Sequence, residues 1–409
     1  MLKRFTALTL LALALGTVPH PHHPRRAAAA FVAASVPYLP GSTIPIEING
    51  INPPYRIAIL GPGVLQQNLY HVPNDASGNS SVVASGAAGI AEHVFDFAAP
   101  PDPSKPFIAV ATYDDGVIIH QADAPFTMNA ALAIGGAPGD VAIEDDGLIG
   151  TGTTNGDGGT IARLKPWNVI SYSGVPGVDE VAFDRSTHAL FLTNRDVDGA
   201  GALTRITADG TTSRRVLGMT AEGLAVDSAH RRVYVANVND GTISIVDADS
   251  MVELSRFKAI DRVFALALDP SGKRLYAISN QSLSSPFAAP GSAIAIDITA
   301  PHPRIVAKSP QLSFPVGVAF DARTNRVFVT DEKDDDVYVL DPHTLARMHD
   351  ALPTCSTPWK PTIDGDRLYV PCARADRVDV FDTRTLRHLP GAPFATGGYP
   401  LAVAVWHGQ

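Results

Sequence analysis

One arrangement of apolar and polar positions returns along this chain. A short apolar strand closes on an acid: EVAFD (180–184), GLAVD (223–227), ALALD (265–269) and GVAFD (317–321). Polar turns follow, among them DSAHR, DPSGK and DARTN, rich in residues that favour tight reversals. A second strand comes next: HALFLTN (188–194), RRVYVAN (231–237), KRLYAIS (273–279) and NRVFVTD (325–331). A third completes the unit: GTISIVD (241–247), SAIAIDI (292–298) and DDVYVLD (335–341). The period-two alternation in RVYVAN and TISIVD predicts strands with one face more buried than the other. No stretch of ten residues between them carries a helical pattern, so crossover βα units are not expected.

Weaker copies extend the array. DVAIED (140–145) leads to LIGTGTT and GTIARLK, and HVFDF (93–97) leads to FIAVATY and GVIIHQA. Near the C-terminus PTIDGDRLYVPCARADRVDVFD (361–382) is a compressed copy. The acids Asp184, Asp227, Asp269, Asp321 and Asp364 are spaced by 43, 42, 52 and 43 residues. Strand-only units of this period predict the blades of a β-propeller. Seven first strands run from His93 to Asp364, and an eighth, PLAVAV (400–405), has nothing after it to complete a blade. The strands YRIAIL (55–60), NLYHVP (68–73) and SSVVAS (80–85) are orphans at the other end. Joining the two ends closes the ring, because exposed sheet edges are a liability. The expectation is an all-β propeller of eight four-stranded blades, closed by N- and C-terminal strands, with seven blades as the alternative. The expected boundaries are a signal peptide and loose start at 1–28, an extension at 29–53 and the propeller at 54–409.

The tract RRVYVANVNDGTISIVDADS resembles the YVTN type of β-propeller repeat. Tyr234, Val235 and Asn237 match its core, with Ala236 where threonine stands in the repeat. The resemblance spans about 90–405 and implies the propeller fold. Relatives of that type include exported and cell-surface proteins, and related propellers include lactonase-like enzymes and haem-binding domains. No motif fixing one of those roles is matched residue by residue.

The N-terminus changes the picture of where the chain works. MLKRFTALTLLALALG couples a basic start at Lys3 and Arg4 to an apolar run too short to span a membrane. That is the pattern of a signal peptide, which predicts a periplasmic or extracellular protein with no transmembrane segment in the mature chain. The formal charge is −9, and loss of Lys3 and Arg4 leaves 30 basic residues against 41 acidic ones. Without a basic cluster, nucleic acid and anionic membrane are not expected partners. Export permits a disulfide between the two cysteines, Cys355 and Cys372.

Candidate chemistry sits where each first strand begins, beside the central channel. Aligned units place His93, Asp140, Glu180, Gly223, Ala265, Gly317, Lys360 and Ala402 at one position. The preceding position holds Glu92, Gly139, Asp179, Glu222, Phe264, Val316, Trp359 and Leu401. Acids therefore gather on one half of the ring and apolar residues on the other, which is the character of a ligand pocket. The expected ligand contacts are His93, Asp140, Asp179, Glu180, Glu222, Trp359 and Lys360. Glu180, Glu222 and His93 are the candidates for acid-base catalysis. His93, Asp140 and Glu180 offer a nitrogen and two carboxylates to a metal. A noncovalent haem or quinone needs no local motif, and His93 is the first axial candidate. DEKDDD (331–336) lacks the glycine and closing glutamate of an EF-hand loop and reads as an exposed turn. The stripe Tyr234, Tyr276, Phe328 and Tyr369 reads as packing between blades, and His188 and His230 as surface residues of the opposite face. No GxSxG, CxxCH or dinucleotide fingerprint is present.

Three functions remain open from sequence. The first is an exported propeller that binds a protein or small molecule at its top face without catalysis. The second is a lactonase-like hydrolase or lyase using the His93–Asp140–Glu180–Glu222 arc. The third is a structural protein of the cell surface.

Overall fold

A computed structural model describes residues 36–46, 55–86, 89–195, 199–280, 290–300 and 302–409. The expected signal peptide lies outside these residues. Among the described residues no helix is long and apolar enough to cross a membrane.

Among the described residues, seven four-stranded antiparallel sheets form the blades of a β-propeller. Blade 2 begins at Pro138–Glu144, blade 3 at Val178–Asp184, blade 4 at Ala221–Asp227 and blade 5 at Val263–Leu268. Blade 6 begins at Pro315–Asp321 and blade 7 at Thr362–Asp364. In each, the next three strands follow outward in chain order. Blade 1 is stitched from both ends. Its innermost strand is Pro400–Trp406, followed by Phe107–Thr112, Gly116–Gln121 and Met128–Leu132. The inner strand of every blade abuts those of its two neighbours, and Pro400–Trp406 lies between blades 7 and 2.

The ring therefore has seven blades rather than eight, and its closure differs in partner from the expectation. Val403 pairs with Val110 and Ala404 with Ala109, not with YRIAIL. Tyr55–Leu60 instead pairs with Gly78–Gly86, which pairs with Gly89–Phe97, in a separate three-stranded sheet. The physical reason is the burial each strand demands. PLAVAVW is almost wholly buried, as a strand between two blades must be. The stretch around His93 alternates, with Glu92, Val94 and Asp96 exposed and Phe95 buried. One wet face suits a flanking sheet and not the interior of a ring. Residues 36–46 carry that flanking region onto the outer strand of blade 1, where Tyr38 bridges both Phe97 and Ala131.

Cores lie between blades. The aromatic stripe packs there as expected: Tyr276 sits with Val327 and Leu340, Phe328 with Leu368 and Phe381, and Tyr369 with Val110 and Val403. The acid ending each first strand holds the following turn. Asp184 takes bonds from Ser186 and Thr187, Asp227 from the His230 N–H, and Asp321 from the Arg323 N–H. On that face charged pairs also tie successive blades together. His188 meets Glu144 at 2.7 Å, Arg323 meets Asp366 at 3.0 Å, and His407 after the closing strand meets Asp364 at 2.9 Å. His188 is thus an inter-blade contact, and not only a surface residue.

Closure by the C-terminal strand predicts that deleting residues 400–409 abolishes cooperative melting. The deletion strips blade 1 of its inner strand and exposes an unpaired edge on Phe107–Thr112. Circular dichroism melts check this, and an unchanged midpoint contradicts it.

Candidate functional site at the channel mouth

Inner strands open on a break in register. The irregularity falls between Pro138 and Asp140, Val178 and Val181, Ala221 and Leu224, Val263 and Ala265, Pro315 and Gly317, and Pro400 and Ala402. A bulge sets extra residues against one partner and re-aims their side chains. Here the bulged positions hold Gly139, Asp179–Glu180, Glu222–Gly223, Phe264, Val316 and Leu401, and Asp140 follows its bulge, opposite Gly152. Glycine is needed where blades crowd: a Cβ on Gly317 would lie 2.4 Å from Pro361 Cδ and 3.0 Å from Lys360 Cα.

The acids stitch blades together. Asp140 Oδ2 accepts the Val181 N–H at 3.0 Å, and its Oδ1 accepts the Val141 N–H at 2.9 Å. Glu180 Oε2 accepts the Leu224 N–H at 2.8 Å. Threonines of the second strands add to this. Thr193 Oγ1 donates to the Glu222 carbonyl at 2.5 Å, and Thr330 Oγ1 to the Trp359 carbonyl at 2.8 Å. These are the threonine positions of LFLTN and RVFVTD, so each such hydroxyl ties its blade to the next.

Lys360 crosses the mouth. Its Nζ lies 2.6 Å from Asp140 Oδ2 and 3.5 Å from Glu180 Oε2. Burial works to lower the Lys360 pKa, but Asp140 and then Glu180 outweigh it and hold the ammonium above its ordinary value. An ammonium so held is no Schiff-base nucleophile. Burial pushes the Glu180 carboxyl up to about 7, opposed by Lys360 and reinforced by Asp140. Arg262, only 5% exposed, stands near Glu222 and donates to Asn239 Oδ1 at 3.3 Å. Burial lowers its pKa, and Glu222 works against that.

Between these groups lies a cavity of about 60 Å3. Asp179 and Glu180 of blade 3 and Glu222 of blade 4 line it together with Phe264, Val316, Trp359 and Leu401 from blades 5, 6, 7 and 1, and Lys360, Gly139 and Thr154 complete it. The volume holds a few waters or the tip of a ligand, not a drug-sized molecule.

Five of the seven residues singled out from sequence line this cavity, and Asp140 touches it through Lys360. His93 is not brought to it. It lies in the flanking sheet against Phe95, with ring centroids 4.6 Å apart. The metal reading of His93, Asp140 and Glu180 loses its nitrogen, and a lysine ammonium stands between the two carboxylates. The same placement takes His93 away from the channel mouth as an axial-ligand candidate. Arg262 was missed; it precedes its strand in a left-handed conformation, φ 50°, which recurs at the equivalent Gly177, Thr220, Thr357 and Tyr399, but only here does that position carry a cation. The acidic top loops are satisfied turns: Asp331 takes the Phe314 N–H, Asp335 the Thr357 N–H and Asp115 the Gly398 N–H.

Cys355 and Cys372 are joined, with Cα atoms 5.6 Å apart. Between them the Trp359 N–H bonds the Pro371 carbonyl at 2.8 Å, and the Ala373 N–H bonds the Thr357 carbonyl at 2.9 Å. Disulfide and ladder together fix the segment that presents Trp359 and Lys360.

No protein-family model matches the chain, and no curated protein does. Solved structures do. A functionally unknown protein from Desulfotomaculum acetoxidans has a TM-score of 0.59 at 13% identity, over 75% of this chain and 100% of that one. A putative 6-phosphogluconolactonase from Bacteroides fragilis gives 0.59 at 12%, over 75% and 99%. The β-propeller domain of Cps50 (Swd1) from Myceliophteria thermophila gives 0.54 at 13%, over 68% and 93%. At such identities the likeness is one of fold.

Two outcomes follow. Lys360→Met leaves Asp140 buried without its cation, and because the lysine side chain is 31% exposed the cost is reduced to about 2–3 kcal/mol. Chemical denaturation measures it, and adding Asp140→Asn should recover part of the loss; no loss in the single variant contradicts the bridge. The disulfide closes a separation of 17 residues, which constrains the unfolded chain by roughly 3 kcal/mol. Reduction should lower the melting midpoint and change Trp359 fluorescence, while two alkylated cysteines in nonreduced, denatured protein would rule the bond out.

Proposed function

We propose that this chain is an exported propeller of the YVTN type that binds a ligand at its channel mouth and has no catalysis of its own. The ligand is a small molecule or the tip of a larger partner. One observation carries the reading: the ring brings acids of blades 3 and 4 and apolar residues of blades 5, 6, 7 and 1 to one small cavity. Such a cavity combines orientation by a few polar contacts with burial of apolar surface. A rigid ring supplies the preorganisation. The disulfide supports export, since such bonds persist outside reducing compartments.

Glu180 favours a second reading. A carboxyl titrating at about 7 beside a cavity is poised for general acid-base work, such as lactone opening. Its bonds to the Leu224 N–H and Lys360 favour the binding reading, because they give this carboxylate structural work.

A thermal-shift screen of small amines, sugars, acids and lactones on the oxidised protein tests both. The binding reading expects at least one compound to raise the midpoint by several degrees in wild type and by much less in Trp359→Ala. Turnover of a lactone, with a pH break near 7 and lost in Glu180→Gln, would replace it with the hydrolase. No stabilising compound and no turnover would overturn both.

A further inference from the structure

On the face opposite the channel mouth, blades 2 and 3 meet at a second polar cluster. The inner strand of blade 2 ends on Glu144, and the turn after it carries Asp146. His188 stands in the corresponding turn of blade 3, four residues after Asp184. The equivalent residue of blade 4 is Arg231, whose guanidinium reaches back to Asp184 of blade 3 at 2.5 Å. His188 reaches back to Glu144 of blade 2 in the same manner. An arginine at this place offers N–H donors alone, whereas a neutral histidine keeps one nitrogen with a lone pair.

The Glu144 carboxylate directs that nitrogen. Its side chain is 2% exposed. Its Oε1 takes the His188 Nδ1–H at 2.7 Å, and its Oε2 accepts the Asp146 N–H at 3.1 Å. One buried carboxylate thus sets the imidazole tautomer and fixes the residue beside it. His188 Nε2 then presents its lone pair next to Asp146 Oδ2, 3.2 Å away. Nδ1 makes an aligned hydrogen bond, and among the described residues Nε2 makes none. The Asp146 oxygen therefore stands to one side of the Nε2 direction, where a second ligand of a shared ion stands. Zinc takes nitrogen at about 2.0–2.1 Å and carboxylate oxygen at about 2.0–2.2 Å, which puts neighbouring ligand atoms about 3.0–3.4 Å apart. The separation of Nε2 from Oδ2 falls in that range. A carboxylate behind a ligating histidine is also what orients such ligands. Asp184, the other acid near His188, is engaged by Thr187 and Arg231.

We propose that His188 Nε2 and Asp146 hold a divalent transition-metal ion of the zinc type at the seam of blades 2 and 3. Glu144 is the positioning residue, and water completes the coordination. The His188 and Asp146 side chains are 39% and 61% exposed, so the ion enters from solvent. Imidazole suits zinc, nickel and copper, whereas magnesium and calcium favour oxygen. The ion clamps from below two blades that Asp140 and the Val181 N–H join at the channel. This site is independent of the mouth and of what the mouth binds.

Isothermal titration calorimetry of the full oxidised chain with zinc chloride tests this, with magnesium chloride as the control. The parent chain carries His20→Ala, His22→Ala and His23→Ala, because that histidine-rich stretch offers zinc ligands of its own. His188→Arg keeps a donor for Glu144, as Arg231 does for Asp184, and supplies no lone pair. It should fold as the parent does and bind one zinc fewer. Zinc should raise the melting midpoint of the parent by more than that of His188→Arg. Asp146→Asn, a change at an exposed side chain, should weaken the site about tenfold. Nitrogen NMR of histidine-labelled protein, assigned with His188→Arg, should show zinc on Nε2 and the proton on Nδ1. In Glu144→Gln that tautomer should lose its dominance and zinc should bind about tenfold weaker. Equal zinc stoichiometry and affinity in the parent, His188→Arg and Asp146→Asn overturns the proposal, as does a His188 signal that zinc leaves unmoved. Magnesium displacing zinc at equal concentration overturns the nitrogen ligand. An unchanged tautomer and affinity in Glu144→Gln overturns the positioning role.

Discussion

Lys360 joins blade 7 to blades 2 and 3 across the inner strand of blade 1, and the shape of the channel mouth depends on that bridge. Its ammonium is 2.6 Å from Asp140, whose carboxylate also takes N–H groups of two blades. Charges withdrawn from water gain little net stability from pairing alone, since desolvation consumes most of the attraction. The bridge therefore specifies geometry more than it stabilises. It fixes where the acidic wall stands relative to Trp359, the residue next to Lys360, and the cavity is what lies between them.

Everything else that positions the mouth converges on the same few residues. Bulges bring Glu180 and Glu222 to the mouth, and Glu180, with Asp140 just past its own bulge, receives an N–H group of the next blade. Threonine hydroxyls of the second strands reach the neighbouring rim. The disulfide anchors the segment bearing Lys360. A ring held this way cannot open at one blade without loosening the next, because each carboxylate serves two blades. Repeat architecture allows this: the same carboxylate stitch stands at equivalent positions of blades 2 and 3.

Much of this was legible in sequence because it is local and repeated. The alternation in RVYVAN and TISIVD reports burial directly, and the constant spacing of Asp184, Asp227 and Asp269 reports the blade. Closure was less legible, because which strand completes a sheet is decided by a partner far along the chain. PLAVAVW and HVFDF both read as strands; only the wet face formed by Glu92, Val94 and Asp96 separates a flanking strand from a ring strand. The misplacement of His93 follows from that one assignment. Asp179, Glu180 and Glu222 could be aligned because the bulge recurs at a fixed point of the repeat, and Trp359 stands at the equivalent point of blade 7, before its inner strand. The partnership of Lys360 with Asp140 is a contact across the ring and left no local signal; Arg262 stands at a repeated left-handed position that carries no cation in the other units, so the alignment did not single it out.

The central claim is that the mouth is a preorganised site in which Glu180 is largely withdrawn from water, rather than an open hydrated rim. The most direct measurement is the titration of Glu180, followed by carboxyl-carbon NMR in protein labelled at glutamate and assigned with Glu180→Gln. A desolvated carboxyl held beside Asp140 and Lys360 should titrate near 7. A midpoint at the ordinary value of a hydrated glutamate, about 4.3, would show a solvated rim and contradict the account.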